Sequence, residues 1–356
     1  MNNYRPTWAE INLSNLYFNY LEAQKNVPGK IIIPVIKANA YGHGAVPIVE
    51  FLYKKGVRYF AVNLLEEALE LRETNKDINI LMLGSILEDY LEVASRNNIE
   101  ITLFDQEIAK AAIKSNLNLT CHLKIDTGMN RIGVSNQEEA LFLIEELQKS
   151  KNINLKGLFT HFATADDDKT FFDYQLKEFE NLLNKIKTKP EIIHTSNSSA
   201  IFKYEKDIPF TNAVRLGISL YGLTLEESLN IKPVMRLKSK IMQIKVIEKG
   251  SCVSYGRTYC ATEETIIGTI PLGYGDGFIR SNRNGEVEIN NKKYPIIGTI
   301  CMDATIIKLD NTVKKYDEVT IFGGLISADD VAKRNKTINY EVTTLLNKRI
   351  YRKYIV

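Results

Sequence analysis

The chain has 356 residues, of which 44% are apolar and 25% are charged, and a formal net charge of +3. This length can bury a large core and predicts two domains. The chain has no basic block interleaved with aromatic residues, which argues against a nucleic-acid partner. No window approaches the ~18 apolar residues of a membrane-spanning helix, so we expect no membrane association.

The N-terminal segment MNNYRPTWAEINL has no basic region followed by an apolar stretch, and so it does not resemble a signal peptide. The four cysteines, Cys121, Cys252, Cys260 and Cys301, show no CxxC spacing. In a chain of this length such cysteines are typical of free thiols in a reducing compartment. We therefore expect a cytoplasmic protein, most simply an enzyme, without a metal site.

Residues 11–229 alternate short apolar runs with amphipathic segments. Segments such as LLEEALELRE and EEALFLIEELQKS place leucines three and four residues apart, which indicates helices. Continuous apolar strands separated by helices indicate a parallel sheet covered on both faces. The eight runs predict a (β/α)8 TIM barrel over residues 11–229: KIIIPVIK, RYFAVN, INILMLG, IEITLF, LTCHLKID, INLKGLFTH, EIIHTSN and AVRLGISLYG.

The pattern changes after residue 230. Runs such as VMRLKSKIMQIKVIEKG and DEVTIFGG are β-rich, and NG, NN and glycine pairs between them are turn signals. We expect a mostly-β C-terminal domain over residues 230–356, joined by the N-terminal residues 1–10. A helix-like piece, INYEVTTLLNKRI, precedes the last strand-like residues.

Polar residues follow most of the predicted barrel strands. The carboxyl ends of barrel strands build the active site in this architecture. A polar residue at one strand end carries little information, but polar residues at most of the ends favour a site. They are Lys37, Asn63, Lys124, Asp126, His161, Asn197, Ser198 and Arg215.

Lys37 follows directly on an apolar strand, in the segment IIIPVIKANAYGHG. At the rim of an apolar barrel, desolvation lowers the pKa of a lysine and favours a nucleophilic amine that can form a Schiff base with a carbonyl. The alternative is a lysine that keeps its head group in water. The carbonyl can belong to a sugar, as in an aldolase, or to pyridoxal 5′-phosphate (PLP). A phosphate site near Ser198, Ser199 and Gly217 fits the second reading.

Six segments in this order resemble motifs of the alanine racemase family: VIKANAYGHG, KIDTGMNRIG, FTHFATAD, VRLGISLYG, VSYGRTY and ICMDATI. They extend over the whole chain. The resemblance implies a PLP-binding barrel followed by a β domain, in agreement with the pattern of strands and helices. It also implies the interconversion of L-alanine and D-alanine, which supplies D-alanine for peptidoglycan.

The resemblance also implies roles for individual residues. Lys37 would hold PLP and act as one catalytic base, and Tyr255 would be the second base, supplied by the partner subunit of a homodimer with shared active sites. Arg215 would face the pyridine nitrogen, Arg131 would contact the cofactor and the substrate carboxylate, and the phosphate and ring would be bound by Tyr41, His161, Asn197, Ser198, Gly217, Ile218 and Tyr354.

Three further residues complete the expected site. Met302 and Asp303 would line the substrate pocket from the other subunit. Lys124 would be a carbamylated lysine that orients Arg131, as in some family members, or an ordinary salt-bridged lysine. Small departures from the family pattern at Asn130 and Gly275 leave room for a shifted substrate range.

Several alternatives stay open at this level. The nearest is a racemase of the same fold with a preference for serine or a broad range of amino acids. A non-enzymatic PLP-binding protein is a different class, although it would need neither Tyr255 nor Met302. A decarboxylase of related fold or an aldolase-type Schiff-base enzyme agrees less well with the motifs.

Overall fold

The structure is a computed structural model, and it describes residues 4–224 and 229–356. The barrel consists of eight parallel strands: β2 (Ile31–Pro34), β3 (Tyr59–Val62), β4 (Asn79–Met82), β5 (Ile101–Leu103), β6 (Leu119–Lys124), β7 (Ile153–Phe159), β8 (Ile192–His194) and β9 (Ala213–Leu216). Six of them pair in the order β2-β9-β8-β7-β6-β5, and β3 pairs with β4. Single parallel bridges from Val35 to Ala61 and from Leu81 to Glu100 join these two groups and close the barrel. The predicted fold class is confirmed, and each apolar run contains one strand.

Helices cover the outside of the barrel: α1 (Leu13–Asn26), α3 (Ala45–Lys54), α4 (Leu65–Thr74), α5 (Leu91–Arg96), α6 (Gln106–Lys114), α7 (Gln137–Lys149), α8 (Lys169–Lys185) and α9 (Ser198–Lys203). Five of them begin at a side chain that accepts a backbone N–H group of the first turn: Asn12, Asp105, Asn136, Asp168 and Asn197. Such caps satisfy donors that the helix itself leaves unpaired. They mark where the chain leaves a strand and turns back along the barrel.

The barrel interior has an apolar side and a polar side. Ile33, Val35, Ala61, Leu81, Ile192 and Ala213 form part of one buried cluster. The other side holds buried polar groups, among them His122, His194 and Arg215, which are 0–3% exposed. All four residues of both β3 and β9 are buried, because helices cover one face and the interior fills the other.

The rest of the chain is built around a nine-stranded sheet in the order β11-β14-β17-β16-β15-β18-β10-β1-β19. Its strands are β1 (Thr7–Asn12), β10 (Met235–Lys240), β11 (Gln243–Ile247), β14 (Thr265–Ile270), β15 (Glu286–Ile289), β16 (Lys292–Ile297), β17 (Thr305–Leu309), β18 (Glu318–Phe322) and β19 (Tyr351–Ile355). The N-terminal strand β1 lies between β10 and β19, so both ends of the chain meet in this sheet. Two short helices, α10 (Ala328–Asn335) and α11 (Asn339–Thr344), pack against each other.

A two-stranded ribbon, β12 (Cys252–Val253) with β13 (Tyr259–Cys260), carries the residues between its strands outward. The register places Cys252 opposite Cys260, and the two form a disulfide. The expectation of four free thiols was therefore wrong for this pair, because the ribbon brings together cysteines that the sequence separates by eight positions. Cys121 and Cys301 are free thiols.

Within residues 4–224 and 229–356, no helix is both long enough and apolar enough to cross a lipid bilayer.

Candidate active site

Lys37 begins a single strained turn just beyond β2. This turn, α2 (Lys37–Tyr41), contains four consecutive residues with left-handed backbone, at φ angles of 50–55°, and none of them is glycine: Ala38, Asn39, Ala40 and Tyr41. The left-handed region costs roughly 1–2 kcal/mol for each such residue. Neighbouring groups must therefore hold the turn, as is common where strain is kept at a functional site.

Glu67 is one of the groups that hold the turn. Its Oε1 accepts a hydrogen bond from the backbone N–H of Ala38 at 2.6 Å. Its Oε2 accepts from the N–H groups of Asn63 and Leu64 at 2.9 Å and 3.1 Å. One carboxylate on α4 thus ties the Lys37 turn to the loop that follows β3, and it fixes where the lysine side chain leaves the backbone.

A cavity of about 230 Å³ opens at the carboxyl end of the barrel, above Lys37. Eight of the predicted site residues line it: Lys37, Tyr41, His161, Asn197, Ser198, Arg215, Gly217 and Ile218. Ser199, expected near the phosphate site, also lines it, whereas the remaining lining residues, Val35, Leu83 and Tyr340, were not predicted. Leu83 lies directly after β4, at the carboxyl end of a predicted strand, whereas Tyr340 comes from α11 and has no sequence signal.

The cavity concentrates positive charge. Burial, and then the charge of Arg131, lowers the pKa of Lys37 below its ordinary value. The same two causes lower the pKa of Lys124 to about 8 and that of Arg215 to about 9. None of these four cations forms an ion pair with a carboxylate in the part of the chain that the structure describes. Because the positive charges are not neutralised by nearby carboxylates, the cavity favours a ligand with several negative charges.

The side of the cavity next to Ser198 can bind an anion. The Ser198 hydroxyl accepts from the backbone N–H groups of Gly217 and Ser219 at 3.0 Å and 3.3 Å. A Cβ atom on Gly217 would lie 3.4 Å from the Tyr41 hydroxyl and 3.5 Å from the Ser198 hydroxyl. Glycine therefore keeps these two hydroxyls and the local backbone accessible from one side.

Arg215 lies at the base of the cavity with almost all of its donors engaged. Its Nη1 donates to Nδ1 and to the carbonyl oxygen of His194, at 2.7 Å and 3.1 Å. Its Nη2 donates to the carbonyls of Thr160 and Thr195 and to Nδ1 of His161 at 2.8, 2.7 and 3.1 Å. Within the described residues no acceptor faces the Nε–H group. That donor is left for a ligand acceptor such as a ring nitrogen.

Asn197 and Tyr354 take positions at the edge of this arrangement. The Asn197 side chain lines the cavity and also caps α9, accepting from the Ala200 N–H at 3.0 Å. Tyr354, on β19, does not line the cavity. Its hydroxyl donates to the His43 carbonyl at 3.1 Å, next to Gly44 in the loop that follows Tyr41.

Tyr255, Met302 and Asp303 lie elsewhere, on a face that we call the outer patch. Tyr255 is 71% exposed and Met302 is 52% exposed, and none of the three lines the cavity. The Ser254 hydroxyl donates to the Thr299 carbonyl and lies 3.2 Å from the Cys301 sulfur, so the segments that carry Tyr255 and Met302 form one unit. Asp303 pairs with Arg349.

Arg131 and Lys124 approach the cavity from the side. Arg131 is exposed in this single chain, whereas Lys124, at the end of β6, is 2% exposed. The Lys124 amine lies 5.9 Å from the centre of the Phe159 ring. Its predicted salt bridge is not formed in the described structure, since Asp126 influences its pKa only at a distance.

Family models for the alanine racemase N-terminal domain and C-terminal domain match residues 11–225 and 234–354. The chain belongs to the alanine racemase family. An alanine racemase of Listeria monocytogenes serotype 4b (strain F2365) is 40% identical over 366 residues, which cover 99% of this chain and 98% of the relative.

Two solved structures show how far the likeness extends. The alanine racemase of Clostridium difficile 630 superposes with a TM-score of 0.95 at 38% identity, covering 99% of this chain and 97% of the other. A histidine racemase from Leuconostoc mesenteroides subsp. sake superposes with a TM-score of 0.93 at 28% identity, covering 100% of this chain and 99% of the other. The same architecture therefore occurs in racemases named for different amino acids, and the fold alone does not define the substrate.

Alanine racemases use PLP, and the residues of this cavity fit that cofactor. The hydroxyls around Gly217 suit its phosphate, the cations suit its total negative charge, and the Nε–H of Arg215 suits its ring nitrogen. Lys37 is the amine at the mouth whose pKa is lowered. Glu67, His194 and Tyr340 belong to this arrangement but were not predicted as site residues, because their roles depend on contacts between distant segments.

Proposed function

We propose that this protein is a PLP-dependent alanine racemase that interconverts L-alanine and D-alanine and supplies D-alanine for peptidoglycan. Lys37 and Tyr255 are its two catalytic bases. The observation that carries the proposal is a cluster of cations that have no carboxylate partner among the described residues. They surround one cavity, with the Lys37 amine at its mouth and the hydroxyls of Ser198 and Tyr41 at its side. The family relationship over the full chain agrees with it.

PLP, when bound, stabilises the negative charge that develops at Cα of the amino acid attached to it. The chain supplies the proton chemistry. Lys37, with its lowered pKa, removes or returns the Cα proton on one face. A second base on the opposite face then allows inversion without large motion, and we assign that role to Tyr255. The alanine carboxylate is held by Arg131, which has no carboxylate partner in the described structure.

The proposed homodimer follows from where the second base lies. One chain presents a cavity with Lys37 but without Tyr255, and it presents Tyr255 on the outer patch away from that cavity. Two chains that exchange outer patches would complete two sites at once, as a two-fold interface requires. Exposed Met302 and Asp303 would enter the partner's cavity together with Tyr255.

Lys124 is proposed to be carbamylated. A buried amine with a pKa of about 8 is substantially neutral near that pH, and a neutral amine can add carbon dioxide. The carbamate would place a negative charge beside Arg131, where the described structure offers no carboxylate partner. It would thereby hold Arg131 in position for the substrate carboxylate.

The proposal includes a cytoplasmic location and a preference for alanine. The preference is open to test because the fold is shared with a histidine racemase. We would measure racemisation of L-alanine, L-serine and L-histidine side by side with purified protein, after recording its visible spectrum. A yellow protein that turns over alanine fastest supports the proposal. A yellow protein that turns over serine or histidine fastest contradicts the preference for alanine. A colourless protein that PLP does not activate contradicts the proposal as a whole.

A further inference from the structure

A row of hydrogen-bonded polar side chains, which we call the polar chain, begins at the partly exposed Lys156, crosses the barrel interior and ends on the buried Arg215. Lys156 donates to Oε1 of Glu100 at 2.6 Å, and Oε2 of Glu100 lies 3.1 Å from Nε2 of His122. Nδ1 of His122 lies 3.0 Å from Nε2 of His194, and Nδ1 of His194 lies 2.7 Å from Nη1 of Arg215. The proposed mechanism uses only the last of these residues.

The backbone is shaped to admit the polar chain. A Cβ atom on Gly157 would lie 2.0 Å from Nδ1 of His122, so glycine on β7 leaves the space that the imidazole fills. The pairing of β6 with β7 is irregular at the same point, between Cys121 and His122. Both His122 and His194 are completely buried. A polar side chain buried to this degree is costly unless its hydrogen bonds are satisfied, which here they are.

The two ends of the polar chain determine the direction of every bond in it. A guanidinium group only donates, so Nδ1 of His194 accepts and its proton is on Nε2. That N–H donates to Nδ1 of His122, whose own proton is therefore on Nε2. The Nε2–H of His122 donates to the Glu100 carboxylate, which only accepts.

The charge states agree with this direction. Burial lowers the pKa of both His122 and His194, so both rings are neutral. Burial also raises the pKa of Glu100, but hydrogen bonds from His122, Lys156 and Tyr59 outweigh it and the net shift is downward. Glu100 is thus a carboxylate, with Lys156 as its ion-pair partner.

We propose that Glu100, acting through His122 and His194, is a positioning residue for Arg215. Its negative charge fixes the two histidine tautomers so that Nη1 of Arg215 always meets an acceptor. The Nε–H group then stays directed into the cavity, toward the ring nitrogen of the cofactor. This inference rests on the proposed function only for that last step.

Removal of the Glu100 charge permits the opposite direction for the hydrogen bonds that join His122 and His194. Nδ1 of His122 would then donate to His194, and Nδ1 of His194 would carry a proton. Two donors would face each other across the 2.7 Å between His194 and Arg215, and the guanidinium would have to turn away. With Glu100 present the opposite direction is disfavoured, because the unprotonated Nε2 of His122 would then direct its lone pair at the carboxylate.

The first test is nuclear magnetic resonance of the full-length protein labelled with ¹⁵N in its histidine rings. The protein has four histidines, so the spectrum contains signals from at most four imidazole rings. We expect His122 and His194 to be neutral with the proton on Nε2, both with and without PLP. A wild-type His194 that is charged, or that carries its proton on Nδ1, overturns the proposal without any variant.

Variants separate the charge of Glu100 from its packing. In Glu100→Gln we expect a second population of both rings with the proton on Nδ1. Tyr59→Phe is the comparison variant: the hydroxyl it removes donates to the same carboxylate and lies 3.0 Å from Nε2 of His122, while the charge of Glu100 stays in place. Glu100→Asp, which keeps the charge, should restore the wild-type tautomers. Unchanged tautomers in Glu100→Gln overturn the proposal.

The PLP-loaded enzyme tests the consequence for Arg215. We expect Glu100→Gln to form about 10-fold more pyruvate per racemisation turnover, the scale expected from weakening one charge-assisted contact. Tyr59→Phe should leave this ratio unchanged. If the tautomers change and the ratio does not, Glu100 does not position Arg215. If neither the wild type nor any variant racemises alanine, the proposed function fails. The histidine tautomers still determine the direction of the hydrogen bonds between Glu100 and Arg215.

Discussion

The cavity at the barrel mouth and the outer patch differ in how much of the site each completes alone. The cavity is finished within one chain: Lys37 is held by a strained turn that Glu67 fixes, and Arg215 has acceptors for all its Nη groups. The outer patch presents Tyr255 and Met302 to solvent. Under the proposed function, cofactor binding belongs to the single chain and completion of the proton chemistry belongs to the pair.

The largest expected effect separates the two bases. Tyr255→Phe should lower racemisation by about 10²–10⁴-fold, the usual contribution of a positioned acid or base. It should leave PLP binding intact, because Tyr255 does not line the cavity. The family resemblance implies that Lys37 serves D-alanine and Tyr255 serves L-alanine, so in deuterium oxide only D-alanine should still exchange its Cα hydrogen. Exchange from L-alanine alone would reverse the assignment of the two faces, and loss of PLP binding would place Tyr255 in the cofactor site.

A second variant alters the cavity and leaves the patch intact. In the proposed site, Arg215 would keep its own proton and would disfavour protonation of the cofactor's ring nitrogen, and this would suppress the transamination side reaction. Arg215→Glu reverses this electrostatic preference, so pyruvate formation should rise relative to racemisation. Coupled lactate dehydrogenase measures the pyruvate. An unchanged ratio in a variant that still binds PLP would contradict this role of the arginine.

The disulfide provides a smaller test of the patch. Cys252 and Cys260 close the ribbon that carries Tyr255, and the Ser254 and Thr258 side chains also tie that ribbon to Thr299. Replacing both cysteines by serine should lower kcat a few fold by loosening the ribbon, and PLP affinity should not change. Replacing Cys121 by serine is the control for a thiol outside the patch. Equal effects on kcat and PLP affinity would contradict a role confined to the ribbon.

The smallest expected effect concerns Lys124 and pH. Because the folded pKa of Lys124, about 8, lies below its unfolded value, the protonated lysine destabilises the fold at low pH. This penalty disappears as pH rises through about 8 and on toward the ordinary lysine range. In bicarbonate-free buffer, Lys124→Met should therefore be more stable than wild type below pH 8, with a gap that narrows at higher pH. A difference in stability that does not change with pH would contradict the lowered pKa of Lys124. Lys149→Met, at an exposed position, is the control.

The sequence located the barrel strands and most of the cavity because one rule covers both: polar residues that follow buried strands converge at one end of a barrel. Lys37, His161 and Arg215 were found in this way, and all three line the cavity. The motif resemblance added Tyr41 and Ile218, which also line it. The roles of Tyr255 and Met302 stay predictions.

Other features depend on register and on contacts between distant segments. The Cys252–Cys260 disulfide requires the pairing of β12 with β13, which no local spacing reveals. Four successive non-glycine residues in left-handed backbone after Lys37 have no signal in their own identities, since Glu67 on a separate helix supplies the compensation. The position of His122 between Glu100 and His194 likewise depends on contacts between separate strands of the barrel.

Subunit complementation tests the shared site most directly. Lys37→Ala and Tyr255→Phe, each inactive or nearly so, are mixed in equal amounts under conditions that exchange subunits, with the mixed dimer verified by native mass spectrometry. Random pairing gives one complete site in each mixed dimer, so we expect recovery to about one quarter of wild-type activity. No recovery in a verified mixed dimer would show that Lys37 and Tyr255 do not act across the interface.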